Sequence, residues 1–211
     1  MSLLSFYFLR SELFNFGFRY LYDMNQIFSF FAQFQLLSNE AEKALQEICS
    51  VIFIKKNEEL QAIGHTCRTI YFVEKGIARI YYYKDGTDIT ESFSFESSII
   101  ARVESLFTEK PSRKAIQIVE DADIIAINAT KLFKLYDTHP QIELLFRKIF
   151  EKGYVETVNR IENLQFHTAE ERYLALLQEN PDALRRIPLK YIASYLGITQ
   201  VTLSRIRATV K

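Results

Sequence analysis

Gln200, Thr202, Ser204, Arg205 and Arg207 fall within eight residues near the C-terminus and include no carboxylate. Carried on one helix, such donors and acceptors suit the edges of nucleic-acid bases, where arginine pairs bidentately with guanine. The neighbouring residues supply that helix. Ile192, Ala193 and Leu196 give a first helix an apolar side. Gly197 permits a tight turn, because a residue without Cβ enters the left-handed region at little cost. Thr199 stands at the N-cap of a second helix, where its hydroxyl accepts from an exposed amide. On that second helix Val201 or Leu203, with Ile206 and Val210, can face inward. The pattern is a helix-turn-helix, whose second helix fits the major groove of double-stranded DNA.

Charge agrees with it. Between Ala183 and Lys211 stand six basic residues (Arg185, Arg186, Lys190, Arg205, Arg207 and Lys211) and no Asp or Glu. Of 26 basic and 26 acidic residues, residues 1–182 therefore hold 20 and 26. A neutral chain thus has one basic end, and phosphate contacts need only a local excess of positive charge. Lys190, on the first helix, is the candidate phosphate contact. The alternative is a small helical subdomain with a solvated basic face.

Other chemistries lack their residues. Cys49 and Cys67 have no Cys-x-x-Cys spacing, and idle or buried thiols in a reducing cytoplasm are expected. His65, His139 and His167 are scattered, so no metal-ligand spacing arises. A phosphate-cradling glycine loop and a nucleophile elbow are both missing, and no catalytic residue is assigned. Half of the 18 Phe residues lie in the first 34 positions. Arg10, Glu12 and Arg19 interrupt that stretch, so no membrane span is expected. Residues 1–23 are read either as a surface-lying amphipathic helix or as upstream translation ahead of a native start at Met24.

The chain between divides by periodicity. Asn25 to about Ser50 reads as helical, with Ser38 capping an acidic first turn at Asn39–Glu42. Short β-branched and aromatic runs follow at 51–54, 69–73, 78–83, 89–95, 116–119 and 124–127. Lys75-Gly76 and Asp85-Gly86 mark hairpins between them. A short helix is expected over Thr130–Tyr136, then a long one from Pro140 to about Gln165. The apolar positions of the long helix, from Ile142 to Leu164, exceed one buried face. One side is expected on the roll and another against a second copy; burial within one chain is the alternative. Thr168 to Glu171 reads as a capping box opening a further helix, closed at Asn180-Pro181.

This order resembles the cyclic-AMP receptor / fumarate-nitrate regulator (Crp/Fnr) family of bacterial transcription regulators over residues 24–211. Ile187–Ile206 and Ile70–Thr90 carry the likeness, and Pro188–Arg207 resembles most the branch common in Bacteroidetes. The resemblance implies an α+β fold: an N-terminal antiparallel β-roll (a cyclic-nucleotide-binding-like jelly roll), a long dimerisation helix, and a C-terminal winged helix-turn-helix, its wing truncated. The corresponding ranges are 24–138, 139–166 and 167–211. It also implies a homodimer on two half-sites about one helical turn apart, with RNA polymerase as a further partner. Arg205 matches the family's guanine-reading arginine, and Ser204 a position touching base or phosphate. Gln200 falls where the receptor branch has arginine, and Thr202 on a phosphate-contacting threonine. Val201 departs from a base-reading glutamate; it can meet a thymine methyl or turn into the core.

The family's effector site carries over in part. Cyclic-nucleotide binders present Gly-Glu, a short helix, then Arg-Ser/Thr-Ala. Arg113 falls on the phosphate arginine, flanked by Ser112 and Lys114. Arg102-Val103 replaces Gly-Glu, Glu104 is displaced from the ribose-binding position, and Lys114 replaces the hydroxyl residue. No cofactor is therefore assigned. The effector is read as a cyclic nucleotide or another small anion, held by Arg113, Lys114 and Ser112 with Lys110 beside them. The alternative is Arg113 paired with a carboxylate of the roll. Two other functions stay open: a cyclic-nucleotide-binding module acting through protein contacts, and a cupin-like enzyme, which lacks its histidines.

Overall fold

Among the described residues two helices, not one, precede the sheet. A computed structural model describes residues 24–209, so the reading of residues 1–23 and the inward position of Val210 lie outside the described residues. Helices α1 (Asn25–Ala32) and α2 (Asn39–Gln46) are separated by a turn, and Ser38 Oγ accepts from Ala41 N at 3.3 Å. A capping side chain ends one helical path as surely as it begins the next, so continuous helicity to Ser50 was incompatible with this cap. Strand β1 (Cys49–Ile54) has already begun there.

The sheet contains β1, β2 (Glu59–Gln61), β3 (Thr69–Lys84), β4 (Thr87–Ser94), β5 (Ser98–Ile100) and β6 (Ala115–Asn128). Its antiparallel order is β1-β6-β3-β4, with β2 also on β6 and β5 on β3. Asp85 and Gly86 (φ 51° and 75°) turn β3 into β4, as a two-residue hairpin requires. Lys75-Gly76 does not make a hairpin. Both halves of β3 pair with the single long β6, Ile70 opposite Ile127 and Ile80 opposite Ile116, so the chain runs straight on through a bulge. Gly76 is required at that bulge for another reason. Its φ is +96°, and a Cβ there would lie 2.7 Å from Ala122 Cβ and 2.8 Å from the Asp121 carbonyl. The two runs 116–119 and 124–127 likewise merge into β6. The three-residue strands β2 and β5 were too short to show a period.

Helices α3 (Val103–Thr108) and α4 (Ala129–Leu135) flank β6, and Asn128 Oδ1 caps α4 through Lys131 N at 2.9 Å. The 27-residue α5 (Pro140–Phe166) follows. Its first half buries Ile142, Leu145, Phe146 and Ile149 against the roll and α1, where Phe31 and Phe146 meet edge to face at 5.7 Å. Its second half leaves Tyr154 (71%) and Phe166 (72%) exposed, with Val155, Ile161 and Leu164. Among the described residues nothing buries these side chains.

Four helices complete the described chain: α6 (Ala169–Glu179), α7 (Ala183–Arg186), α8 (Leu189–Tyr195) and α9 (Gln200–Thr209). The capping box at Thr168 and Glu171 is formed in full. Among the described residues no strand accompanies these helices. Their core, with Tyr173, Leu176, Ile192, Leu196 and Leu203, continues into Ile77 and Val119 of the roll.

Candidate nucleic-acid interface and anion site

The turn between α8 and α9 is built from backbone bonds that glycine allows. Gly197 adopts φ +69°, and the N–H of Ile198 returns to the Ala193 carbonyl at 3.0 Å. Thr199 Oγ1 then accepts from Thr202 N at 3.1 Å, capping α9 as expected. Two arginines finish the other side of the turn. Arg172 donates to the Leu196 carbonyl from Nε (3.1 Å) and Nη2 (2.9 Å). Arg160, from α5, donates to the Tyr195 carbonyl and lies over the Tyr195 ring at 3.8 Å. Burial and the neighbouring Arg172 charge lower the Arg160 pKa. These cations sit where the negative end of α8 emerges.

On α9 the inward position belongs to Leu203, 1% exposed, whereas Val201 is 63% exposed. Gln200, Ser204, Arg205 and Arg207 are all exposed. Thr202 is half-buried, and its hydroxyl lies 3.0 Å from Thr199 Oγ1, within the cap. Lys190 is exposed on α8, its ammonium 4.8 Å from the Tyr191 ring. The helix-turn-helix therefore brings Gln200, Val201, Ser204 and Arg205 onto one solvent-facing surface and sets Lys190 apart on the preceding helix.

Not every charge of the basic tail faces solvent unpaired. Arg185 pairs with Asp182 at 3.1 Å on the surface. Arg186 is held by both Glu96 and Glu120 of the roll, at 3.0 Å from Nε to Glu120 Oε1 and 3.1 Å from Nη1 to Glu96 Oε2. Those hydrogen bonds raise the Arg186 pKa. Burial pushes the Glu96 carboxyl up, but bonds from Arg186 and the backbone N–H of Gly76 prevail and hold it below the usual range.

A second joint lies beside it. Arg79, 1% exposed, forms a bidentate bridge to Asp88 with both contacts at 2.6 Å, and also donates to Thr90 Oγ1 (2.8 Å) and Gln117 Oε1 (2.9 and 2.8 Å). Its guanidinium lies between Tyr81 of the roll (4.3 Å) and Tyr191 of α8 (3.6 Å). Ser194 Oγ completes the contact, accepting from Thr90 N at 2.8 Å and donating to the Asp88 carbonyl at 3.3 Å. Sequence reasoning passed over Arg79 and counted Arg186 only as a charge of the basic tail. The available signal was a charged residue inside the apolar run Ile77–Ile80, which only a buried partner explains.

The anion candidates are less united. Arg113 is exposed, with no carboxylate partner among the described residues. Ser112 is buried, and its hydroxyl is engaged within its own loop: it donates to the Lys114 carbonyl (2.8 Å) and accepts from Lys114 N (3.1 Å). Lys114 Nζ is ion-paired with Glu91. Arg102, missed as a site residue, is buried; its Nε reaches Ser112 Oγ at 3.4 Å and its Nη1 lies 3.7 Å from Glu91. Glu104 is exposed in the first turn of α3. Both cysteines are buried, and burial pushes the Cys49 thiol up to about 12, far from a reactive thiolate. Among the described residues no cluster of three His, Cys, Asp or Glu side chains could hold a metal ion, and no helix is long and apolar enough to cross a membrane.

Residues 51–139 match the family model described as a cyclic nucleotide-binding domain. No curated protein matches the chain in sequence. Among solved structures, FixK2 from Bradyrhizobium japonicum aligns with a TM-score of 0.67 at 20% identity, over 77% of this chain and 84% of that one. A structure described as a transcriptional regulator of the Crp/Fnr family, from Eubacterium rectale, aligns with a TM-score of 0.64 at 18% identity, over 82% and 83%. The c-di-GMP-responsive global regulator CLP of Xanthomonas campestris aligns with a TM-score of 0.65 at 14% identity, over 82% and 91%. At these identities the likeness is one of fold.

Proposed function

We infer that this chain, a cyclic nucleotide-binding roll joined to a helix-turn-helix on the Crp/Fnr fold, is a sequence-specific DNA-binding transcription regulator. It acts in the cytoplasm as a homodimer on a near-palindromic site, and it contacts RNA polymerase. The observation that carries this reading is the exposed face of α9, with Gln200, Ser204 and Arg205 outward and Leu203 locked inward. Arg205 reads guanine, Gln200 and Ser204 read neighbouring edges, and Thr202, Arg207 and Lys190 contact phosphates.

The dimer is supported by the second half of α5. It leaves Tyr154, Val155, Ile161, Leu164 and Phe166 exposed on one helix, as an association face would. Pairing two such helices sets two α9 probes on successive turns of the groove. The test is a fluorescence titration of the full chain against a palindrome library selected on it. Sequence-selective binding that weakens steeply with salt is expected. Binding indifferent to both sequence and salt would refute the reading.

The match over residues 51–139 favours a second reading, a cyclic-nucleotide module whose output is a protein contact. Calorimetry with cyclic AMP and cyclic GMP separates the two. Saturable nucleotide binding without any DNA binding would favour the module.

A further inference from the structure

Strand β4 carries one residue more than its partner. Ser92 faces Ile80 and Thr90 faces Tyr81, so Glu91 has no opposite residue on β3. A bulge of this kind re-aims the extra side chain and disrupts the ladder beside it. Both consequences matter here. The Glu91 carboxylate is directed onto Lys114 and Arg102. The N–H of Thr90, one residue earlier, is taken by Ser194 of α8 at 2.8 Å.

Arg102 is 6% exposed, and a guanidinium so buried needs an anion. Among the described residues its only carboxylate is Glu91, which also pairs with Lys114. Ser112 Oγ accepts from Arg102 Nε at 3.4 Å and so orients the guanidinium. Two cations on one carboxylate, Arg102 steadied by the Ser112 hydroxyl, form the kind of cradle that takes a phosphate.

We propose that Glu91 is the resident anion of this site. The chain fills with its own side chain the place on Arg102 and Lys114 that a small phosphate-bearing ligand would take. The bulge that puts it there also presents Thr90 to Ser194, so filling the site and docking the helix-turn-helix are one structural event. A free anion must displace a tethered carboxylate, whose effective concentration is on the order of millimolar or above. The occupancy claim stands on the roll alone; the coupling claim rests on the DNA-binding reading.

The test titrates inorganic phosphate, at constant ionic strength, into the full wild-type chain and into Glu91→Gln. Wild type is expected to show no saturable binding at millimolar phosphate. Glu91→Gln is expected to bind at least about tenfold more tightly, and to lose that gain when Arg102→Met is added. Equal phosphate binding by wild type and Glu91→Gln overturns the proposal. Should Glu91→Gln unfold, Glu91→Ala replaces it and stability becomes the readout. Refolding of either variant by phosphate supports the proposal, since a ligand of the native state stabilises it, and unfolding that phosphate does not reverse refutes it. DNA titration then separates the two claims. Phosphate-dependent DNA affinity in Glu91→Gln alone supports the coupling, and phosphate binding without that change removes it. If neither protein binds any DNA selectively, the regulator reading falls while the phosphate result still decides occupancy.

Discussion

The guanidinium of Arg79, on β3, lies 3.6 Å from the centre of the Tyr191 ring on α8. One residue belongs to the roll and the other to the helix that precedes α9. With Asp88, Thr90 and Gln117 satisfying its donors, Arg79 is neutralised on the roll before it meets the ring. The stack therefore adds cohesion between the two parts without leaving a bare charge. A double-mutant cycle on Arg79→Met and Tyr191→Leu, read by urea unfolding, is expected to give a coupling energy of about 1–2 kcal/mol. A coupling near zero would mean that the ring merely covers the site.

Arg205 and Lys190 should fail in different ways. Arg205→Ala is expected to cost about 1–3 kcal/mol on the selected site and to relax one base position in each half-site. Lys190→Ala is expected to weaken all duplexes alike and to lower the salt slope by about 1. Parallel titrations of selected and scrambled duplexes at several salt concentrations check this. Identical behaviour of the two variants would contradict the roles assigned to them.

A charge in the exposed half of α5 should separate the protomers. Val155 and Ile161 are solvent-facing on a single chain, so Val155→Glu with Ile161→Glu leaves the fold intact in a melting experiment. Sedimentation is expected to show a monomer, because a buried unpaired carboxylate costs more than the apolar contact it replaces. An unchanged sedimentation coefficient would point to a different dimer face.

Acid should loosen the joint at Arg186. The Glu96 carboxyl is held below its ordinary 4.5 by Arg186 and the Gly76 amide, despite the opposing effect of burial. A carboxylate with a depressed folded pKa contributes stability that is complete above 4.5 and fades as pH falls through the folded value. Glu96→Gln is expected to lower stability at pH 7 and to flatten its fall between pH 4.5 and more acidic conditions. Thermal melts of both proteins across that range provide the comparison. Parallel pH profiles would place the acid sensitivity elsewhere.

Much of this molecule is legible in residue order because the deciding interactions are local. Gly197 with Thr199, Asp85 with Gly86, and Thr168 with Glu171 each set a turn or cap within three residues, and each forms as read. The two-sided apolar pattern of α5 is equally local, a matter of helical period. The Gly76 reading fails for a nonlocal reason. Whether Lys75-Gly76 ends a strand or only bulges it depends on the length of β6, some forty residues away, and on the Ala122 side chain that excludes a Cβ.

By itself the sequence determined the helix-turn-helix, the basic end and the succession of roll, long helix and helical module. It could do so because propensity, capping and periodicity act over a few residues. Only the tertiary structure decided which charges remain available. It turned Val201 to solvent, committed Arg186 to Glu96 and Glu120, buried Arg79 between two tyrosines, and set Glu91 on Arg102 and Lys114. Ion pairs form between elements far apart in the chain, and burial fixes their partners because a desolvated charge cannot stay alone.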